Sequence, residues 1–149
     1  MKRRKGFTLL ELVIALMIIS IISGGLFLTF RQSPRQHLEN ASLQLQADIR
    51  YAQRRAIIEG RRVDVFISVI GNYYRVRLLD GPSGIEIIRT VHTQNGVHIM
   101  QSNVERIIYY PRGTPSGVSP GTIELRNGRY RQHLTILPSG GRVRIGDIH

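Results

Sequence analysis

Apolar residues fill a continuous run near the start of the chain. Residues 7–30 form a stretch of 24 positions in which Glu11 is the only charged side chain. As a helix this stretch would be about 36 Å long, enough to cross a hydrocarbon core of ~30 Å. The pattern therefore predicts a membrane-spanning helix over residues 7–30.

In residues 31–60, apolar side chains recur every three or four positions, which places them on one face of a helix. Ser33-Pro34 is typical of a helix start, and Gly60 of a helix end. We expect an amphipathic helix over 31–60 that continues the first one almost without interruption. The predicted stripe consists of Leu38, Ala41, Leu45, Ile49, Ala52 and Ala56.

Beyond Gly60 the period changes to two, which indicates strands separated by Gly- and Asn-rich turns. Residues 111–121 contain too much Gly, Pro and Ser to pair, and we expect a loop there. The fold class is therefore α+β: a long N-terminal helix whose second half packs on an antiparallel β domain over 61–149. Strands are predicted at 63–69, 73–80, 85–93, 97–100, 106–110, 122–126, 129–137 and 142–145.

Charge is unevenly distributed along the chain. The formal net charge is +11, and four of the 21 basic residues lie within residues 1–6, as KRRK. A basic cluster on that side of an apolar run predicts a cytoplasmic N-terminus and an outward-facing remainder. From residue 7 onward, 17 arginines and no lysine face 10 acids, for a net charge of +7. Such a surface either attracts polyanions or is simply a solvated basic surface.

Nothing in the sequence favours catalysis. The chain has no cysteine, and its five histidines are scattered without metal-ligand spacing. No nucleophile elbow, phosphate-binding loop or pair of acids with a partnering histidine is present. We therefore expect no enzyme activity, no metal and no cofactor.

Glu11 is the residue that a plain membrane anchor does not explain. A carboxylate within the bilayer costs on the order of 2.5–3.5 kcal/mol on insertion scales, so it is a functional candidate by default. An acid that only snorkels to the interface is the alternative. A cleavable secretory signal peptide fits poorly, because the apolar run continues beyond Ser23-Gly24-Gly25.

The segment KGFTLLE resembles the processing site of type IV pilins and pseudopilins. The resemblance implies a leader peptide over residues 1–6, cleavage by prepilin peptidase between Gly6 and Phe7, and N-methylation of Phe7. Glu11 would then be the acid used in filament assembly. It would pair with the new Phe7 amine of a neighbouring subunit, because two buried opposite charges relieve each other.

The resemblance extends over most of the chain. The passage ASLQLQADIRYAQRRAIIEGRRVDVFI and the C-terminal half, which ends in GGRVRI, are similar to the minor pseudopilins of the GspH/FimT family. This implies a single-pass inner-membrane protein with its C-terminal domain outside the cytoplasm. Other pilins or pseudopilins and the inner-membrane assembly platform would be its partners. The implied function is that of a structural subunit of a type II secretion pseudopilus, acting in filament initiation or at the tip.

A DNA-binding role is the alternative, as a minor pilin of a type IV pilus or competence system. DNA-binding members resemble this chain at GRVR, where Arg142 and Arg144 alternate on a predicted strand and could reach phosphates. Arg126, Arg129 and Arg131 could extend the patch across the Asn127-Gly128 turn. GRVR-like endings also occur in secretion-type relatives, and alternating arginines also serve solubility.

A second cluster consists of Arg50, Arg54, Arg55, Arg61 and Arg62. A solvated face, or salt bridges to acids such as Glu59 and Asp64, is one interpretation of it. Subunit contact along a filament is the other. An ordinary single-pass membrane protein with an extracytoplasmic β domain remains a third hypothesis for the whole chain.

Overall fold

A computed structural model describes residues 9–29, 33–116 and 121–149 of the chain. The chain divides into two compact units, Met1–Ser33 and Pro34–His149. The predicted leader over 1–6 lies outside the described residues, as do Phe7 and residues 117–120 of the predicted loop over 111–121. That loop prediction is wrong at its last residue, because Gly121 pairs with Ile136 in an antiparallel sheet.

The first unit contains helix α1, Leu9–Thr29, with Glu11 in its first turn. Its large apolar side chains from Leu9 to Ile21 are exposed. Within the described residues, no helix combines the length and the hydropathy that crossing a membrane requires. The membrane-spanning segment over residues 7–30 stays a prediction.

The second unit begins with helix α2, Pro34–Glu59. Pro34 is its first residue, a position that suits the fixed φ of proline. Gly60 follows the last residue with φ +63°, as expected for a glycine that ends a helix. The predicted apolar stripe is confirmed. Leu38, Leu45, Ile49, Ala52 and Ala56 are at most 1% exposed, and Ala41 packs against the same core.

Eight strands follow α2 in the described residues, and they form two four-stranded antiparallel sheets. The strand order is β3-β2-β1-β5 in the first sheet and β4-β6-β7-β8 in the second. The alternating pattern predicted each strand, whereas the division into two sheets was not predicted. The strands are β1 Val63–Ser68, β2 Tyr73–Gly81, β3 Gly84–His92, β4 Val97–Ser102, β5 Arg106–Tyr109, β6 Gly121–Asn127, β7 Tyr130–Ile136 and β8 Val143–Ile145.

Helix α2 packs against strands of both sheets, and its apolar stripe supplies the centre of the core. The described strands contribute residues such as Val65 and Val76 from the first sheet and Leu125 and Leu134 from the second. Asn127 adds a polar link between α2 and the second sheet. Its Nδ2 donates to the Pro34 carbonyl at 3.1 Å and to the Asn95 carbonyl at 3.0 Å.

A buried ion pair lies on the first sheet. Asp64 on β1 is fully buried opposite Arg77 on β2. Arg77 donates to its two carboxylate oxygens from Nε at 2.9 Å and from Nη2 at 2.6 Å. Arg106 on β5 adds a contact of 3.2 Å. The expected pairing of Asp64 with the arginines near the end of α2 is therefore wrong, because arginines on the neighbouring strands hold both of its oxygens.

The arginines near the end of α2 have other partners. Arg55 pairs with Glu59 at 2.5 Å, as expected. Arg62 donates to both oxygens of Asp80, from Nε at 2.8 Å and from Nη2 at 2.6 Å. The side-chain hydrogen bonding from Arg62 lowers the pKa of Asp80 to about 2.

These two pairs give a matched test of burial. Asp64→Ala should lower the free energy of unfolding by about 3–5 kcal/mol, because it leaves the Arg77 side chain, 14% exposed, without its counter-ion. Asp80→Ala removes a pair of the same geometry whose side chains are 48% and 39% exposed. Its cost should be much smaller, because water screens exposed charges. Urea unfolding followed by circular dichroism measures both variants, and equal losses would contradict this account.

Candidate functional site

The N-terminal candidates are the cleavage site and Glu11, and the structure describes only Glu11. Gly6 and Phe7 lie outside the described residues, so their processing stays a prediction. Glu11 is described: it lies in the first turn of α1 with its side chain exposed.

Four basic residues form a row across the outer face of the second sheet. Arg126 on β6 lies directly opposite Arg131 on β7, and His98 on β4 lies on the other side of Arg126. The row ends at His149. The Arg131 amide donates to its carbonyl at 2.8 Å, and its own amide donates to the Arg131 carbonyl at 3.0 Å. We call these four residues the basic row.

Directly opposite side chains on antiparallel strands have Cβ atoms about 4.5–5.5 Å apart, and like charges there repel. Glu124 relieves this only in part, because its carboxylate lies 3.9 Å from Arg131 Nε. Arg126 donates from Nε to the Gly128 carbonyl at 2.7 Å, which holds its side chain near the turn. A phosphate or carboxylate from outside would therefore be attracted to the basic row.

Arg144 lies on the same outer face, farther along the sheet. It is exposed on β8 opposite Thr135, four residues beyond Arg131 on β7. At about 3.3 Å per residue, this places Arg144 roughly 13 Å along the sheet from Arg131. The two arginines share a face but cannot hold the same anionic group.

Arg129 and Arg142 stand apart from this face. Arg129 lies in the β6–β7 turn, stacks on the Tyr130 ring at 5.0 Å and donates from Nη2 to its hydroxyl oxygen at 3.0 Å. That hydrogen bond raises the pKa of the Arg129 guanidinium. Arg142 precedes β8 and lines a cleft beside α2. The five arginines predicted as one patch therefore divide into three places.

The glycine pair before Arg142 is required by packing. Gly140 and Gly141 both have positive φ, +83° and +64°. A Cβ on Gly141 would lie 2.6 Å from Cε1 of Tyr109, whose ring is fully buried. The Tyr109 hydroxyl donates to the Gly141 carbonyl at 3.1 Å. Burial raises the pKa of Tyr109 to about 12, so this hydroxyl keeps its proton at neutral pH.

Two glutamines on α2 hold the same segment from the other side. Gln46 Nε2 donates to the Val143 carbonyl at 2.9 Å. Gln53 Nε2 donates to the Gly140 carbonyl at 2.9 Å and to the Gly113 carbonyl at 2.7 Å. The sequence pattern did not predict these contacts, although both glutamines border the predicted apolar stripe on the helix.

A cleft of about 440 Å³ lies between α2 and the start of β8. Its lining residues are Arg50, Gln53, Arg54, Arg142 and Val143. In the sequence, Arg50 and Arg54 belong to a different cluster from Arg142, and the fold brings the three to one cleft. Within the described ranges, no group of three or more histidine, aspartate or glutamate side chains is arranged to hold a metal ion.

Comparisons with known protein families match both parts of the chain. A model of the prokaryotic N-terminal methylation motif matches residues 1–27. A model of the type II transport protein GspH matches residues 41–140. A comparison with curated protein sequences gives no significant match.

Solved structures share the fold at low sequence identity. The minor pseudopilin EpsH from the type 2 secretion system of Vibrio cholerae superposes with a TM-score of 0.61 at 12% identity, covering 73% of this chain and 95% of that one. The type IV minor pilin FimU of Pseudomonas aeruginosa gives a TM-score of 0.62 at 19% identity, covering 76% and 90%. At these identities the likeness shows the fold alone, and it confirms the predicted α+β, pilin-like class.

The contact between Gly141 and Tyr109 can be tested against a neighbouring glycine. Gly140→Ala and Gly141→Ala both place a Cβ at positive φ, which costs on the order of 1–3 kcal/mol. Only Gly141→Ala also forces the added atom against Tyr109, whereas nothing lies within 4 Å of a Cβ on Gly140. Gly141→Ala should therefore lose about 1–3 kcal/mol more in urea unfolding, the usual cost of overpacking. Equal losses would mean that the turn yields without disturbing Tyr109.

Proposed function

Because the chain belongs to the family of the type II transport protein GspH, we propose that it is a minor pseudopilin, a structural subunit of a type II secretion pseudopilus. It acts in filament initiation or at the tip. The observation that carries the proposal is the order of two features on one chain. A methylation motif over residues 1–27 precedes a GspH domain over residues 41–140. This role is structural and requires no enzyme activity.

The N-terminal part of the proposal concerns processing and location. Prepilin peptidase cuts between Gly6 and Phe7 on the cytoplasmic side and methylates the Phe7 amine. The precursor crosses the inner membrane once, with its N-terminus in the cytoplasm and its C-terminal domain outside. The assembly platform then transfers the mature subunit into a filament of pilins or pseudopilins.

Glu11 supplies the assembly contact in this proposal. It lies in the first turn of α1, close in sequence to the new amine at Phe7. An axial offset between neighbouring helices brings Glu11 of one subunit to the amine of the next, and each charge offsets the desolvation cost of the other. The apolar side chains of α1, exposed from Leu9 to Ile21, then pack against neighbouring helices.

A second candidate function is DNA uptake, as a minor pilin of a type IV pilus or competence system. The basic row favours it, because Arg126 and Arg131 face each other on an outer sheet face that also carries Arg144. Contacts to phosphates give affinity without base specificity. Arg129 and Arg142 would contribute less to such a contact, since the structure places them away from this face.

The assembly role of Glu11 is tested in cells that carry a type II secretion system. When the full chain is expressed, the mature protein should be recovered with an N-methylated Phe7 as its first residue. Glu11→Ala should be inserted and processed equally, because the cleavage site is unchanged. Its incorporation into filaments should fall at least about tenfold, which corresponds to a lost interaction of about 1.4 kcal/mol. N-terminal sequencing and immunoblotting of sheared filaments measure the two steps.

Glu39→Ala is the matched control, because Glu39 is an exposed acid on α2. It should leave processing and incorporation unchanged. An intact Met1 start in the recovered protein would overturn the pseudopilin proposal. Normal incorporation of Glu11→Ala would reject only the assembly role of Glu11.

The DNA alternative is tested by titrating the full chain, in a neutral detergent, with a duplex oligonucleotide at several salt concentrations. If Arg131 and Arg144 contact phosphates, Arg131→Gln/Arg144→Gln should weaken binding and lower the slope of log K against log salt by about 0.9 per lost contact. Arg61→Gln/Arg112→Gln removes the same charge from exposed positions outside the second sheet and should change the slope less. Equal slopes for both double variants would assign these arginines to a solvated surface.

A further inference from the structure

The cleft between α2 and β8 is lined by three arginines that have no acidic partner in the part of the chain that the structure describes. Among the described residues, Arg50, Arg54 and Arg142 form no ion pair, whereas six other arginines pair with acids at 2.5–3.9 Å. Three guanidinium groups lining about 440 Å³ repel one another and attract an anionic group. The cleft is thus a concentration of unbalanced positive charge in the second unit.

Hydrogen bonds fix the walls of this cleft. Gln46 and Gln53 on α2 hold the carbonyls of Val143 and Gly140. On the other side of the turn, Tyr109 holds the carbonyl of Gly141. Arg142 therefore starts from a backbone that is fixed relative to Arg50 and Arg54, and binding an anion requires little ordering of the main chain.

Apolar side chains continue the same helix face on both sides of the arginines. Leu43, Arg50, Arg54 and Ile57 are separated by seven, four and three positions, which places them on one stripe of α2. Leu43 is 50% exposed and Ile57 is 52% exposed. Arginine flanked by accessible apolar side chains is the composition of a protein–protein contact.

We propose that this cleft binds an acidic segment of a partner protein, with carboxylates between Arg50, Arg54 and Arg142 and apolar neighbours on Leu43 and Ile57. The guanidinium fork matches a carboxylate with two parallel hydrogen bonds. A concave site of this size fits a few side chains, whereas a duplex is better matched by the outer face of the second sheet. Identifying the partner as a neighbouring filament subunit rests on the proposed function; the site for an acidic segment does not.

The probe for the test is a fluorescein-labelled peptide in which two adjacent glutamates are flanked by leucines. Fluorescence anisotropy measures its binding to the full chain in a neutral detergent. Arg50→Gln/Arg54→Gln should weaken binding at least about tenfold, because charge-assisted pairs at such sites dominate affinity. Arg131→Gln/Arg144→Gln removes the same charge from the outer sheet face and should weaken it less than about threefold. A peptide with glutamines in place of the glutamates should bind poorly.

Two further variants test the geometry of the cleft. Arg50→Lys/Arg54→Lys keeps the charge but loses the planar fork, and it should weaken binding at least about threefold. Arg142→Gln tests the cleft from its other wall, with an expected loss in the same direction. Circular dichroism should be unchanged in each, because all three arginines are exposed.

Three results would overturn the proposal. One is no peptide binding by the unaltered chain. Another is an equal loss from the cleft variant and the outer-face variant, which would indicate general electrostatic attraction. The third is a cleft variant that loses duplex DNA binding but keeps peptide binding, which would make the cleft a nucleic-acid site. A chain that begins at N-methylated Phe7 and enters filaments, yet fails to bind the peptide, would reject the cleft and leave the pseudopilin function standing.

Discussion

The second unit depends on one apolar stripe of α2 that two separate sheets share. Five of the six stripe residues are at most 1% exposed, Ala41 packs against the same core, and strands of both sheets pack against the helix that carries them. A β portion of this size has little interior of its own, so the helix must supply the centre of the core. Small side chains at Ala52 and Ala56 let strands approach the helix closely. The stripe therefore determines which helix face is buried and which face, with Arg50 and Arg54, remains available for contact.

This dependence changes the meaning of the GRVR motif. Gly141 is required because of its positive φ and its contact with Tyr109, whatever the arginines do. The arginine on each side of Val143 then serves a different surface: Arg142 lines the cleft beside α2, and Arg144 lies on the outer face of the second sheet. In the sequence, the motif looks like a single ligand contact. In the structure, its glycine is required for packing, and its two arginines lie on two different surfaces.

Local periodicity predicted the elements well, because burial imposes a period of two on strands and three to four on helices. The stripe of α2 and all eight strands followed from it. Alternation determines the face on which a side chain lies, but not the strand that lies next to it. For that reason Asp64 was assigned the wrong partners, and the division into two sheets was missed. That Arg50 and Arg142 line the same cleft was not predicted for the same reason, since 92 positions separate them in the sequence.

The net charge of +7 after residue 6 does not by itself indicate a binding surface. The arginines that form ion pairs must first be separated from those that do not. Arg77 and Arg106 neutralise a buried carboxylate, and Arg89 reaches the buried Asp48 at 2.7 Å. These three arginines stabilise the fold by offsetting two buried carboxylates, and the five groups together leave a net charge of +1. Among the described arginines that form no ion pair, two groups lie on surfaces of unlike shape: Arg126 and Arg144 on the open outer face of the second sheet, and Arg50, Arg54 and Arg142 in a concave cleft bordered by apolar side chains. Shape and neighbouring apolar area, rather than total charge, are therefore the grounds on which we propose an acidic protein segment for the cleft and name a phosphate backbone as the candidate ligand of the sheet face.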